Sequence, residues 1–320
     1  LLYDTKKSIN LYKNLSNKGK RSIHSTLSVK EGMQTNKSFV GLHRSFSTNI
    51  RSSNLDERVM IMELEQMIEK CKNKDGRYGN LIQIIGSFSI VNLAYLMLKS
   101  NLDIPARRLG TETLNGIDSK TLQEISKDIL SGAIELSPVR LSLIPKPGKS
   151  ALQPLGVSSP REKIVQKAVD LVLTVIFEAI FLDCNHGGRP NRSCHSALKH
   201  LQLKIKNAST YSWVVKGYIK DCFDSIPHIL ILKGLRRKVD CPATINLIKQ
   251  ILSAGYVLGE DLKKVVRKKI KIHKYKMSTP QGIVLSSLFT NLVLHELDIF
   301  VKDELKSKLI KDKQQQANPV

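Results

Sequence analysis

Apolar residues recur at three- and four-residue spacings in several stretches of the chain, and each such stretch predicts a helix. Met60, Leu64, Met67, Ile68 and Cys71 share one face of residues 56–72, a segment opened by the acidic pair Asp56 and Glu57 at the positive end of the helix dipole. A glycine-containing break at 74–79 separates it from a second, mostly buried helix over 81–100. Asp118 or Ser119 caps a third helix over 120–131, with Glu124 in its early turns. Residues 139–144 alternate as a strand does, Pro145-Lys-Pro-Gly148 reads as a turn, and Leu155-Gly-Val157 as the returning strand. A long helix follows over 161–181, with Ile164, Ala168, Leu171, Val172, Val175 and Ile176 on its apolar face.

Beyond it, 213–219 reads as a strand, 229–238 and 242–252 as helices, and 280–305 as a turn running into a helix. The segment 261–276 fits either a basic β-hairpin or a basic helix, and the Gln-rich tail reads as disordered. Helices first, then mixed strands and helices, give an α+β class.

Composition adds a partner to this picture. Among 320 residues, 51 Lys and Arg face 28 Asp and Glu, a formal net charge of +23. An excess of that size draws polyanions and releases their counterions, so nucleic acid is the leading partner and an anionic membrane surface the second. No apolar run reaches the ~18 residues of a membrane span, and no amphipathic helix pairs a lysine-rich face with large apolar residues, so no membrane partner is expected. The five cysteines form no CxxC pair and are odd in number, which argues against a zinc site or disulfide framework and fits a reducing compartment. The first fifty residues hold nine Lys and Arg against Asp4 and Glu31 alone and are rich in Ser, Thr and Asn. That composition fits an organelle-targeting or linker segment, or a flexible RNA-binding arm.

Five blocks then occur in order. Ile144-Pro-Lys146 is followed by Pro154-Leu-Gly156. Arg161-Glu-Lys-Ile-Val-Gln166 leads to Phe177-Glu178 and Phe181. His186-Gly-Gly-Arg-Pro190 precedes Arg192-Ser193, His195 and Ala197-Leu198. Lys220-Asp-Cys-Phe-Asp-Ser-Ile226 ends at His228. Thr279-Pro-Gln-Gly282 leads to Leu285-Ser286, Asn291 and Leu294-His-Glu-Leu-Asp298. In order and approximate spacing these resemble the reverse transcriptase domain of group II intron-encoded proteins of mitochondrial type, the maturases, over residues 110–305.

The resemblance implies an incomplete right-hand polymerase, fingers and partial palm, behind a helical N-terminal extension. Its expected divisions are a basic arm at 1–54, the extension at 55–135, fingers at 136–210, partial palm at 211–305 and a tail at 306–320. Polymerisation in such proteins uses two metal ions held by carboxylates. By resemblance the first-strand carboxylate position is Tyr218, a bulky neutral phenol; Asp221, three residues on in an extended strand, faces the other side. A Tyr-Ala-Asp-Asp tetrapeptide is absent from the chain, Gln153 stands where the family has a triphosphate-binding Arg, and Gly188 where it has a Phe. The expectation is a chain without polymerase activity, metal site or cofactor of its own, magnesium belonging to active relatives only. Phe223, Asp224, Pro280, Gln281 and Gly282 are expected to keep structural roles as motif residues.

What remains is a surface for RNA, and phosphate contacts of this kind position RNA without reading its sequence. The candidate contacts are Lys146, Lys149, Arg161, Lys163, Arg189 and Arg192, together with Lys263, Lys264, Arg267, Lys268, Lys269, Lys271, Lys274 and Lys276. The expected partner is an organellar intron RNA or, alternatively, ribosomal RNA of a mitochondrial ribonucleoprotein; a third reading is a polymerase completed in trans by a second chain. The mitochondrial matrix is the expected location. An exposed apolar face over 291–300 is expected to bind further proteins of such a ribonucleoprotein.

Overall fold

The computed structural model describes residues 55–100, 114–145, 152–206, 216–219, 222–258, 272–273 and 282–305. Helix α1 (Leu55–Lys70) leads through a turn at Gly76 (φ 71°) to α2 (Leu81–Ile85) and α3 (Phe88–Ser100). The expected single helix over 81–100 is thus two. A Cβ at Gly86 would lie 2.7 Å from the Leu130 side chain, so the break lets the helix that carries Leu130 approach the backbone closely. The Ser87 hydroxyl turns back to the Ile84 carbonyl at 2.8 Å, a local bond that competes with the helical ladder.

Helix α4 (Ser119–Ser131) begins where Asp118 accepts from the Thr121 backbone N–H (2.8 Å) and its hydroxyl (2.7 Å). It ends at Gly132 in the left-handed conformation, φ 72°. Strands β1 (Val139–Pro145) and β2 (Leu152–Val157) form the expected antiparallel hairpin, with Ile144 opposite Gln153 and Leu141 opposite Gly156. A third strand not expected from the sequence, β3 (Tyr256–Leu258), pairs parallel to β1, giving the order β2-β1-β3.

Helix α5 (Pro160–Glu178) is the centre of the core. A capping box fixes its start: Ser159 accepts from the Glu162 N–H, and Glu162 accepts from the Ser159 N–H. The second Glu162 oxygen takes the Ser137 N–H at 2.5 Å, tying the lead-in of β1 to the helix. Val165, Val169, Val172 and Phe177 are fully buried, each such side chain contributing roughly 1.5–3 kcal/mol of transfer free energy. Helices α1–α4 share this core with α5.

Helix α6 (Cys194–Lys206) presents Leu198, Leu201 and Ile205 largely to solvent. The short α7 (Cys222–Ser225) precedes α8 (His228–Arg236), α9 (Pro242–Ser253) and α10 (Ser286–Ile299), which runs into a π-helical turn over Phe300–Leu305. Helix α8 lies against α10, with the Gly234 Cα facing the Leu292 side chain and Arg237 paired with Glu296. Within 291–300, Asn291, Leu292 and His295 are buried, while Leu297 and Phe300 are exposed. The class is α+β, rich in helix with one small sheet. Among the described residues no helix is long and apolar enough to cross a membrane.

Candidate nucleic-acid interface

The motif blocks that lie far apart in sequence meet around α5. Gly282 holds φ 101°, and a Cβ there would stand 2.5 Å from the Gly156 carbonyl oxygen. The third residue of Pro280-Gln-Gly282 is therefore a glycine for two reasons, backbone conformation and closeness to the third residue of Pro154-Leu-Gly156. Gln166 joins the same blocks through its side-chain amide: Nε2 donates to the Ser158 hydroxyl (3.2 Å) and Oε1 accepts from the Val284 N–H (3.4 Å). The side chain is almost fully buried, so these bonds satisfy polar atoms that water cannot reach.

The described basic candidates divide by environment. Arg189, expected as a phosphate ligand, is corrected to a structural role. Its side chain is 4% exposed. It donates from Nε and Nη2 to the Glu178 carboxylate at 2.8–3.2 Å and from Nη1 to the carbonyls of Leu182 (2.7 Å) and Asn185 (2.9 Å). A guanidinium so engaged has no open fork left for a phosphate. Arg192 pairs with Asp183 at 3.0 Å, and Arg161 pairs with Asp128. Both pairs keep solvent access, and pairs of this kind are worth about 0–1 kcal/mol, so neither locks its arginine away from a polyanion. Lys163 is half-buried and its ammonium makes no ion pair or hydrogen bond among the described residues; burial pushes its pKa down.

Lys146 and Lys149, the run Lys263, Lys264, Arg267, Lys268, Lys269, Lys271, Lys274 and Lys276, and the motif residues Pro280 and Gln281 lie outside the described residues. The first palm strand expected over 213–219 is corrected in part: 216–219 carry no regular structure, and Tyr218 is 93% exposed. Among the described residues no strand pairs with that backbone, whereas β1 receives β3 as its second neighbour. Phe223 is half-buried on α7, and the Asp224 backbone belongs to the same turn of helix.

Two arrangements escaped the sequence reading. His186 Nδ1 lies 2.9 Å from the Ser196 hydroxyl and its Nε2 lies 3.0 Å from His200 Nδ1. Burial and the neighbouring Arg192 push the His186 pKa down. The second is a cavity of about 310 Å³ between α5 and α10, whose lining includes Lys167, Asp170, Thr174, Glu178, Ser287 and Asn291. Its trace in the sequence is a polar stripe at 163, 167, 170, 174 and 178, spacings of four, three, four and four, on a helix otherwise apolar nearly all round. Among the described residues no cluster of three or more His, Cys, Asp or Glu is placed to hold a metal ion.

Comparison with known proteins adds the following. Residues 144–311 match the family model described as reverse transcriptase (RNA-dependent DNA polymerase). The chain is 32% identical over 248 residues to the group II intron-encoded protein LtrA of Lactococcus lactis subsp. cremoris, covering 78% of this chain and 39% of that protein. It is 33% identical over 274 residues to an uncharacterized 91 kDa protein in the cob intron of Schizosaccharomyces pombe, covering 83% of this chain and 31% of that one. It is 27% identical over 176 residues to nuclear intron maturase 2, mitochondrial, of Arabidopsis thaliana, covering 46% of this chain and 24% of that one. The chain thus spans under two fifths of the length of these relatives.

Proposed function

As the chain belongs to the reverse transcriptase (RNA-dependent DNA polymerase) family, in its group II intron-encoded branch, we propose that it binds structured organellar RNA as a maturase-like protein and does not polymerise DNA. The observation that carries this reading is Tyr218. By resemblance it occupies the first metal-binding carboxylate position of the palm, and its phenol is 93% exposed. Hard divalent cations take carboxylate oxygens, and a neutral phenol with an ordinary pKa of about 10 is a poor substitute. The residue present does not fit a magnesium ion, and no nucleotidyl-transfer step is assigned to the chain. Gln153, which by resemblance stands where the family has an Arg for the incoming triphosphate, has no guanidinium fork to offer.

RNA binding is supported by the net charge of +23, because a polyanion gains counterion entropy on meeting such a surface. Arg161, Lys163 and Arg192 supply cations on the body, and the lysine-rich stretch 261–276 supplies more. A mitochondrial matrix location is supported by the mitochondrial relatives and the basic, hydroxyl-rich first fifty residues. The exposed Leu297 of α10 and Phe300 of the π-helical turn after it favour a protein neighbour within the same ribonucleoprotein.

Crosslinking and sequencing of the RNA held by the chain in its native organelle tests this. Reads gathered on a small set of introns are the expected result. Reads gathered on one patch of ribosomal RNA would replace the maturase role with a structural one in the mitoribosome. Reads at background would overturn RNA binding altogether.

A further inference from the structure

The cavity between α5 and α10 falls at the lower end of the range for small-molecule sites, roughly 300–1,000 Å³. Left to solvent it would hold about ten waters at about 30 Å³ each. Its walls are mixed. Met97 from α3, Leu171 from α5, Leu288 from α10 and the ring of Phe181 give apolar faces. Two ion pairs stand at its edge, Lys167 with Asp170 at 2.9 Å and Arg189 with Glu178 at 2.8 Å. Each pair is internally neutral, so the lining carries no net charge. A phosphate or carboxylate entering it would meet the carboxylates of Asp170 and Glu178. The Thr174 hydroxyl already donates to Asp170 (3.5 Å) and Asn291 Nδ2 to the Gly187 carbonyl (2.6 Å), so a purely aliphatic group would leave the Ser287 hydroxyl, Asn291 Oδ1 and the acceptor side of Thr174 facing carbon.

Gly188 lets the loop before α6 lie close against α10. It holds φ 58°, and a Cβ there would lie 2.5 Å from the Ser287 Cβ. A neutral heteroaromatic ring meets all of these conditions: flat faces for Leu171, Leu288 and Phe181, and an edge of donors and acceptors for Thr174, Ser287 and Asn291. The polar stripe of α5 that borders the cavity continues for one more turn, about 6 Å, to Lys163. That lysine is half-buried, makes no side-chain ion pair or hydrogen bond among the described residues, and bears an ammonium whose pKa burial has lowered. An anion beside it would offset that burial.

We propose that the cavity between α5 and α10 is a nucleotide site, in which an unstacked base enters between Leu171 and Leu288 and its phosphate stays outside on Lys163. This rests on the RNA-binding reading for its principal source, a base of the bound RNA; a free mononucleotide is the other source of the same chemistry. A base held there fixes one nucleotide of the RNA against the joint of fingers helix and palm helix, a contact that phosphate neutralisation alone does not supply.

The test uses the full chain and two arms. In the first, saturation-transfer NMR follows AMP, UMP, adenosine and ribose 5-phosphate. The expected result is transfer to the base protons of AMP and UMP and none to ribose 5-phosphate. Filling the cavity with Ser287→Phe, or from the opposite wall with Thr174→Leu, weakens AMP at least about tenfold, while circular dichroism reports whether each variant is folded. Lys163→Gln weakens AMP and leaves adenosine unchanged. In the second arm a short RNA carrying 4-thiouridine is crosslinked to the chain, and the modified peptides are mapped to Leu171–Thr174 or Ser287–Asn291.

Crosslinks there without mononucleotide binding assign the site to a base of polymeric RNA. Mononucleotide binding without such crosslinks assigns it to a free nucleotide. Failure of both arms, with RNA still bound, overturns the site and leaves the RNA reading standing. Failure of RNA binding overturns that reading, and the mononucleotide arm then decides the cavity alone.

Discussion

Arg189 closes over Glu178 through two of its nitrogens, at 2.8–3.2 Å, while its third nitrogen holds two backbone carbonyls. This clamp joins the end of α5 to the loop that leads into α6, and the Arg189 guanidinium also lies 5.5 Å over the Phe181 ring. Breaking a buried pair by removing one partner leaves the other charge uncompensated, at roughly 3–5 kcal/mol. Arg189→Ala is expected to lose about that much stability in urea unfolding. Arg189→Lys recovers little of it, because an ammonium cannot reproduce the fork. An unchanged unfolding midpoint in Arg189→Ala, with unaltered slope, would show that the clamp is not structural.

A second expectation concerns the closeness of Gly282 to the Gly156 carbonyl. Alanine at 282 meets an unfavourable backbone conformation, φ 101°, and a carbonyl oxygen at 2.5 Å. Strain of this kind amounts to roughly 1–3 kcal/mol or more. Gly282→Ala is therefore expected to lower the melting temperature and to loosen the β1–β2 hairpin, seen as faster amide exchange at 139–145 and 152–157. Gly116→Ala, where no atom lies within 4 Å of the added Cβ, is the control.

Stability is expected to fall as the solution is acidified through the histidine range. His295 is buried against Phe181, ring centroids 5.6 Å apart, and its Nδ1 has no hydrogen-bond partner. Burial holds its pKa below the ordinary value, with Arg237 and Arg189 adding repulsion and Asp298 opposing them. The unfolded chain therefore takes up this proton more readily than the folded one. The stability due to neutral His295 is present above the unfolded pKa of about 6.5 and drains away as pH falls toward the lower folded value. Asp298, whose pKa burial raises, acts in the opposite sense but in the carboxylate range. Melting temperatures from pH 7.5 to 5.5 are expected to drop, and the drop is expected to shrink in His295→Gln. His186, also depressed, leaves a residual slope.

Much of the framework was legible because local signals and tertiary packing agree. Asp118 is followed three residues on by Thr121, and the structure uses that spacing as a helix cap. Residues 139–144 alternate, and the strand they predict pairs antiparallel with 152–157. The failures have identifiable causes. Gly86 looks like a tolerated helix glycine until Leu130, forty-four residues away in sequence, comes to rest on it. Strand β3 is three residues long and pairs in parallel with β1, so neither its length nor a turn announces it. Arg189 reads as a surface cation because nothing local reveals that Glu178 and two carbonyls converge on it. The cavity is assembled from α3, α5, the loop before α6 and α10, and only the polar stripe on α5 marks it in advance.

The most direct test of the central claim is primer extension under conditions where binding is already saturated. The chain is mixed with a labelled primer on a structured RNA template at concentrations above the measured Kd, with magnesium and all four deoxynucleoside triphosphates. A fully shifted complex with no lengthened primer is the expected result. Extension that depends on magnesium and disappears in Tyr218→Phe would contradict it, by making the phenol at 218 part of a working polymerase site.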